Sequence, residues 1–446
     1  MKTAISATDL LAQVAGQTDG AELFELRSLA MPVHFAASAL ESVKSVETTG
    51  RALRVIRDGR LGFSTTTDMA DGKTVVGNAL ESAQFGDAVT LRFPKKKRMP
   101  AVQCFDPEVE LLDEESLIAL GEGIIEEIRS YDPELHIEVF AGKEIEEVRL
   151  LNTSGLEIGD RRTSLSVSVE VTRAREGDIL VVSDSAASRW RRDVDGVALA
   201  QRIVERLRWA EKTAPVESKA MPVVFNPRGT LVLLLPLMPG LNGRYVCMGA
   251  SPLGQKMGEQ AFDSRFTLVD DGRLDFAIRS APHDDEGVPT AENPLIEGGT
   301  VRQFLYDLKT AAQAGAQPTG NGFKAGLQGG GFRQPPDIAP STWIVSPGNR
   351  SLEQILGELD EALLVDSVLG LGQGNTLAGE FSNNVSLGFL VRRGEIAGRV
   401  KNTMIAGNIY ELLKEHLIGI ADHAEWAFGM LRVPAIAVDR VGVASQ

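Results

Sequence analysis

Leu165-Ser166-Val167-Ser168-Val169-Glu170-Val171-Thr172 decides the class of the fold. Leu165, Val167, Val169 and Val171 point one way. Ser166, Ser168, Glu170 and Thr172 point the other. A period of two with one apolar and one polar face marks a half-buried strand of an antiparallel sheet. Helical stripes flank it. Leu117, Leu120, Ile124, Ile125 and Ile128 follow Asp113, a good N-cap, and stop at Asp132-Pro133. Val197, Ala200, Val204 and Leu207 stripe a second helix before a linker near Thr213-Ala214-Pro215. Helices and strands therefore share this segment without a βαβ alternation, which indicates an α+β class.

Outward from this centre, three segments are expected. Residues 1–90 read as an N-terminal α/β-type module. A short helix starts at Thr8-Asp9, strands run over Glu22–Arg27 and Val33–Ala37, and Asp58-Gly59 turns a hairpin between residues 52–57 and 60–65. Lys73–Ala83 reads as helix. A proline-bearing connector with Pro94, Pro100 and Pro107 leads to the central α+β segment, 110–215. Residues 220–446 read as a large β-rich C-terminal domain. Short strand-like runs such as Pro222–Phe225, Phe266–Val269 and Gly388–Val391 are separated by Gly, Pro and Asp, with helices at Asn226-Pro227, Ser351–Leu356 and Ile409–Glu415.

A chain of 446 residues implies two or three domains. Its net charge of −15 argues against non-specific DNA binding. Lys95-Lys96-Lys97-Arg98 reads as a solvated loop. Cys104 and Cys247 suggest no disulfide framework. Met1–Ser6 has no long apolar run, and Leu231–Met238 is far short of the ~20 residues that span a bilayer. The expectation is a cytoplasmic protein without direct nucleic-acid or membrane partners.

The C-terminal segments carry a resemblance. Asp285-Glu286-Gly287, Pro318-Thr319-Gly320-Asn321, Gly379-Glu380-Phe381-Ser382 and Thr403-Met404-Ile405-Ala406-Gly407-Asn408 occur in an order similar to the TldD/PmbA family, also known as modulator of DNA gyrase or peptidase U62. Arg60-Leu61-Gly62-Phe63 resembles the family's N-terminal module. The family's zinc-binding TldD members place a His-Glu-x-x-x-His helix before a Gly-Leu-x-Gly, here Gly240–Gly243. Counting back, the histidine positions fall on Leu234 and Pro239, and the glutamate on Leu235. The late cysteine that completes the TldD zinc site has no counterpart in Ala427–Pro434, where Phe428 or a neighbour stands.

Catalytic zinc needs three protein ligands, an open water position and a nearby base. Leu234, Leu235 and Pro239 supply none of these, so no catalytic or metal-binding residue is expected and the helix reads as structural, ending near Pro239. The chain thus resembles the zinc-lacking TldE/PmbA branch. The resemblance implies a cytoplasmic TldD–TldE assembly that cleaves peptides or unfolded polypeptides in an enclosed cavity. Zinc would belong to the TldD-type partner, and the isolated chain would form a homodimer. Candidate cavity or interface residues are Asp285, Glu286, Thr319, Asn321, Ser382 and Asn383.

The five histidines, His34, His136, His283, His416 and His423, show no metal spacing on one helix. His283 beside Asp284, Asp285 and Glu286 reads as part of an acidic turn, with a carboxylate-oriented histidine as the functional alternative. Gly320–Gly322 and Gly326–Gly331 read as a turn-rich loop, since no Gly-Lys-Ser/Thr follows. Two other functions stay open: a stand-alone homodimeric peptide-binding protein, and a metal-independent Ser/Thr hydrolase, although no Gly-x-Ser-x-Gly elbow is present.

Overall fold

The computed structural model describes residues 4–175, 177–324 and 331–445. The first two sequence segments pool their strands into one antiparallel sheet. Its strands are β1 (Gly20–Ala36), β2 (Ala39–Val43), β3 (Val46–Arg57), β4 (Arg60–Thr66), β5 (His136–Asn152), β6 (Glu157–Arg175) and β7 (Asp178–Ser188), in the order β4-β3-β1-β5-β6-β7 with β2 on β1. β6 contains the alternating octet. Leu165, Val167, Val169 and Val171 are buried, while Ser166, Ser168 and Glu170 are exposed.

Where the sequence suggests two strands before residue 37, the structure has one. β5 pairs with β1 continuously from Glu22↔Asn152 to Phe35↔Val139. On the other edge of β1, β3 ends at Ala30↔Val46 and β2 begins at Val33↔Val43. Pro32 sits at this change of partner, where a missing N–H does least damage to a ladder. The Asp58-Gly59 hairpin forms as expected, with both residues at positive φ (50° and 69°).

Helices α1 (Ala7–Ala15) and α2 (Gly72–Ser82) cover one end of this sheet. After α3 (Pro107–Glu110), helices α4 (Glu114–Tyr131) and α5 (Gly196–Trp209) cover the rest. The Asp113 side chain caps α4 by accepting from Ser116 N at 2.9 Å. α4 buries Leu117, Gly121, Ile124, Ile125 and Ile128. A Cβ at Gly121 would lie 2.2 Å from the Phe35 ring, so the helix approaches the sheet only with glycine there. On α5 the buried stripe is Leu199, Ala200, Ile203, Val204 and Leu207, and Val197 is exposed.

The C-terminal sheet is built from β8 (Lys219–Phe225), β9 (Leu268–Asp271), β10 (Glu292–Glu297), β11 (Thr300–Val301), β14 (Trp343–Val345), β15 (Glu361–Leu369), β16 (Glu380–Arg392), β17 (Glu395–Arg399), β18 (Thr403–Asn408), β19 (Leu417–Ala427) and β20 (Leu431–Ser445). Between them β12 (Gly322–Lys324) and β13 (Pro336–Ile338) form a separate pair. β20, β18, β16, β15 and β8 close into a ring because β8 also pairs with β20.

This ring is buried on both faces. Val223 and Phe225, Leu363 and Val365, Ile436 and Val438 face the C-terminal core. Their neighbours Val224, Ala362, Leu364, Ala435 and Ala437 face α4, α5 and the first sheet. Continuous apolar runs such as Val223-Val224-Phe225 follow from that double burial. Short helices complete the domain: α6 (Leu231–Leu234), α7 (Leu237–Leu241), α8 (Gly243–Cys247), α9 (Leu308–Ala314), α10 (Leu352–Gly357) and α11 (Ile409–Glu415). Among the described residues, no helix is long and apolar enough to cross a membrane.

Candidate functional site

The segment from Thr230 to Cys247 is three short helices, not the single helix expected from the sequence. Pro236 lacks the N–H that would continue α6, so the chain turns and restarts as α7. Pro239 does not end a helix here. It occupies the first turn of α7, where its N–H would have no intrahelical partner anyway. Asn242 then caps α8 by accepting from Arg244 N at 2.9 Å.

The two faces of this segment differ. Leu233, Leu234, Leu237 and Leu241 are fully buried in the C-terminal core. Leu235, Met238, Pro239 and Asn242, spaced i, i+3, i+4 and i+7, form one wall of a half-open cleft of about 410 Å³. This face of the segment is therefore not packed into the core. Tyr245, Leu305, Ile338, Pro340, Trp343, Gly372, Thr376 and Leu377 complete the lining, and Leu305 is bridged to Asn242.

Asn383 supports the turn that brings Gly372 to the cleft. Its amide donates to Gly370 O at 2.7 Å and Leu369 O at 3.2 Å, pinning the turn that carries Gly372 at φ 83°. Asn383 is buried and its neighbour Ser382 is exposed on β16.

The other sequence candidates gather elsewhere, inside the chain. Glu286 accepts from Arg54 of β3 and from Leu308 N at the start of α9, 2.6 Å away. Arg54 also pairs with Glu22 of β1 at 3.0 Å. Burial pushes the Glu286 carboxyl up to about 6, against the opposing pull of Arg54. Asp284 is pushed well above the usual carboxylate range by burial and by Glu286. It accepts from Glu286 N, Val288 N and Gly322 N. Asp285 accepts from Lys324 N at 2.8 Å. Burial lowers the Lys324 ammonium to about 8, and it lies 5.1 Å from the Phe24 ring centre.

Beside this cluster, Asn321 donates to Asp270 at 2.7 Å and accepts from the Thr319 hydroxyl at 2.7 Å. Burial pushes the Asp270 carboxyl up to about 7. His283 is the carboxylate-oriented histidine of the sequence alternative: its Nε2 is 2.9 Å from Asp160 and its Nδ1 2.8 Å from the Asp284 carbonyl. Glu286 thus links the first sheet to the C-terminal domain through Arg54, whereas Asp285, Thr319 and Asn321 are buried polar residues bonded within the C-terminal domain. Residues 326–330 of the glycine-rich loop lie outside the described residues.

The cleft residues do not fit a zinc ion. Leu235 and Pro239 present only hydrocarbon, and Leu234 faces the core. His416 lies 3.5 Å from Glu411 at the end of α11, and His423 is exposed on β19. Among the described residues, no three His, Cys, Asp or Glu side chains converge as a metal-binding group. Sequence reasoning missed Met238, Asn242 and Trp343 as cleft residues. The i, i+3, i+4, i+7 spacing from Leu235 was the available signal for the first two; nothing local marked Trp343.

Comparison with known proteins places this architecture. The profile described as PmbA/TldA metallopeptidase C-terminal domain matches residues 218–445, the central-domain profile residues 107–211, and the domain 1 profile residues 21–83. The chain belongs to the PmbA/TldD metallopeptidase family. Within this family it is similar to an uncharacterized protein of Methanocaldococcus jannaschii, 27% identical over 407 residues, which cover 90% of this chain and 92% of that one. It is 26% identical over 295 residues to a protein of Haemophilus influenzae named metalloprotease TldD homolog, covering 64% and 60% of the two chains. The crystal structure of TldE from Thermococcus kodakarensis has the same fold, with a TM-score of 0.89 and 24% identity over 98% of this chain and 99% of that one.

Proposed function

We propose that this chain is the non-catalytic, zinc-less subunit of a TldD–TldE-type peptidase acting on peptides or unfolded polypeptides. The carrying observation is the cleft wall. At the positions where the zinc-binding relatives would need His, Glu and His stand Leu234, Leu235 and Pro239, and two of them line an apolar cleft. A leucine and a proline ring cannot ligate zinc or activate water, but they can exclude water and contact substrate. In this reading the TldD-type partner supplies the metal and the base, and this chain supplies part of the enclosed cavity and helps orient the peptide.

Two measurements test the reading. Elemental analysis of the purified chain should find well under one tightly held zinc per chain. Peptide cleavage should require both this chain and a zinc-bearing relative, and a chelator should abolish it. Cleavage by this chain alone that survives chelation, with fluorophosphonate labelling of a serine, would overturn the reading in favour of a metal-independent hydrolase.

A further inference from the structure

We infer that the open sheet face formed by β16, β18, β20 and β8, with the turn after β15, is the surface on which a second copy of this chain docks. The inference goes beyond the proposed function and does not depend on where the zinc lies.

Pairing across these strands sets the outward side chains in two rows. One row is Leu369, Asn384, Met404 and Ala444, and the next is Ser382, Ala406, Gly442 and Ala220. All eight are exposed. None is charged, although charged residues make up 24% of the chain. The open face of an antiparallel sheet is normally polar, as Ser166, Ser168 and Glu170 of β6 are. Here it carries bulky hydrocarbon. Leu369 is 59% exposed, Met404 40%, and Leu371, two residues beyond Leu369, 41%. Neighbouring exposed apolar side chains of that size mark a contact surface.

Gly442 is an independent observation. Glycine weakens a strand and is kept at bends, at bulges or where another backbone comes close. Gly442 is not at positive φ, and the irregular residue of this bulge is Arg440, with φ 58°. A Cβ on Gly442 would meet nothing nearer than the Ala406 carbonyl oxygen at 3.4 Å, an ordinary contact. Among the described residues nothing demands a glycine there, which leaves close approach by another molecule as its reason.

Charge decides the occupant. Each chain carries −15, so two copies repel one another over most of their surface. They approach with least repulsion, and strip water from no ion, where the face is uncharged. A strongly acidic or basic partner would gain nothing from it. Exposed Glu380 and Lys219 stand at its margins, which gives the uncharged centre and charged rim of a protein interface. The four strands span about 14 Å, which suits the centre of an interface burying ~800 Å² per partner. A two-fold axis sets the face against itself.

Sedimentation equilibrium of the full chain should show a monomer–dimer equilibrium at micromolar concentration. Met404→Glu and Gly442→Val should each raise the dimer dissociation constant at least about tenfold. The glutamate brings charge to a face with no counter-charge, and the valine fills space the second copy needs. Valine suits a strand better than glycine, so the Gly442→Val monomer should resist urea at least as well as the parent monomer. That separates lost docking from lost folding. Phe85→Glu, at an exposed residue in the turn after α2, should leave the constant unchanged. With Cys247 replaced by serine and Cys104 buried, a bismaleimide should link Met404→Cys chains into a species of twice 48.0 kDa, and should not link Phe85→Cys chains. A parent that stays monomeric, folded Met404→Glu and Gly442→Val chains that dimerise as the parent does, or linkage at Phe85→Cys alone would overturn the inference. A zinc-bearing relative that takes this face while the parent by itself stays monomeric also removes it, and leaves the proposed function standing. Self-association through this face without any partner-dependent proteolysis supports the inference and removes the subunit reading.

Discussion

Arg54 is held between two carboxylates that water barely reaches. Its own side chain is 3% exposed, and those of Glu22 and Glu286 are each 1% exposed. A buried ion pair adds little over a well-packed apolar pair, but removing one partner strands the other charges. Arg54→Met should therefore destabilise the chain by about 3–5 kcal/mol, read from urea unfolding. Asp270 makes a pH prediction. Burial raises its folded carboxyl from 3.8 to about 7. The proton is held more tightly in the folded state, so this contribution to stability is fully present below about pH 4 and lost as pH rises through 7. Asp270→Asn cannot ionise and leaves its neighbours mispaired, so it should be less stable than the parent at pH 4.5. The deficit should shrink by pH 7.5, as the parent alone loses the Asp270 contribution. Urea midpoints at the two pH values check this.

At the scale of elements, the segment Leu231–Leu241 turns one face to the core and another to the cleft. Leu234 is fully buried and Leu235 borders the cleft. Leu234→Ala should cost about 2–5 kcal/mol through the cavity it leaves. Leu235→Ala should cost only about 1 kcal/mol, because the half-open cleft already leaves that side unpacked. Denaturant unfolding of the two variants separates the faces. Equal costs would mean that the cleft closes in solution. The same segment shows how far local signals reach. Apolar residues crowd it so densely that period alone could not assign one face to the core and one to the cleft. Capped elements were easier. Ser351 and its capping box start α10, and Asn408 starts α11, where a helix was expected.

For the whole molecule, the first sheet and the C-terminal domain pack together through one shared apolar cluster and the buried Arg54–Glu286 pair. Family members share this architecture, so a surface made for a similar partner can accept a second copy in a two-fold arrangement. The isolated chain should accordingly self-associate, with light scattering at micromolar concentration giving about twice 48.0 kDa. A monomer mass across that range would count against self-association.

The sequence by itself determined the α+β class, the hairpin at Asp58-Gly59, the stripes of α4 and α5, and the absence of zinc-ligating side chains at 234, 235 and 239. These rest on periods, caps and side-chain chemistry within a few residues. Only the tertiary structure decided that β5 joins β1, that β20 closes a ring against β8, and that Arg54 meets Glu286 across 232 residues of chain. Asp284, Asp285 and Glu286 look from the sequence like an acidic turn, with Asp285 and Glu286 as candidates for a cavity or interface. They are buried because Arg54, Arg162, Lys324 and several backbone N–H groups from distant strands surround them. The cleft is likewise a property of packing, since α6, α7, β13, β14 and the turn after β15 meet there only once the C-terminal sheet has formed. Such contacts depend on which faces remain to be covered after the sheets assemble, and no local pattern in the chain records that choice.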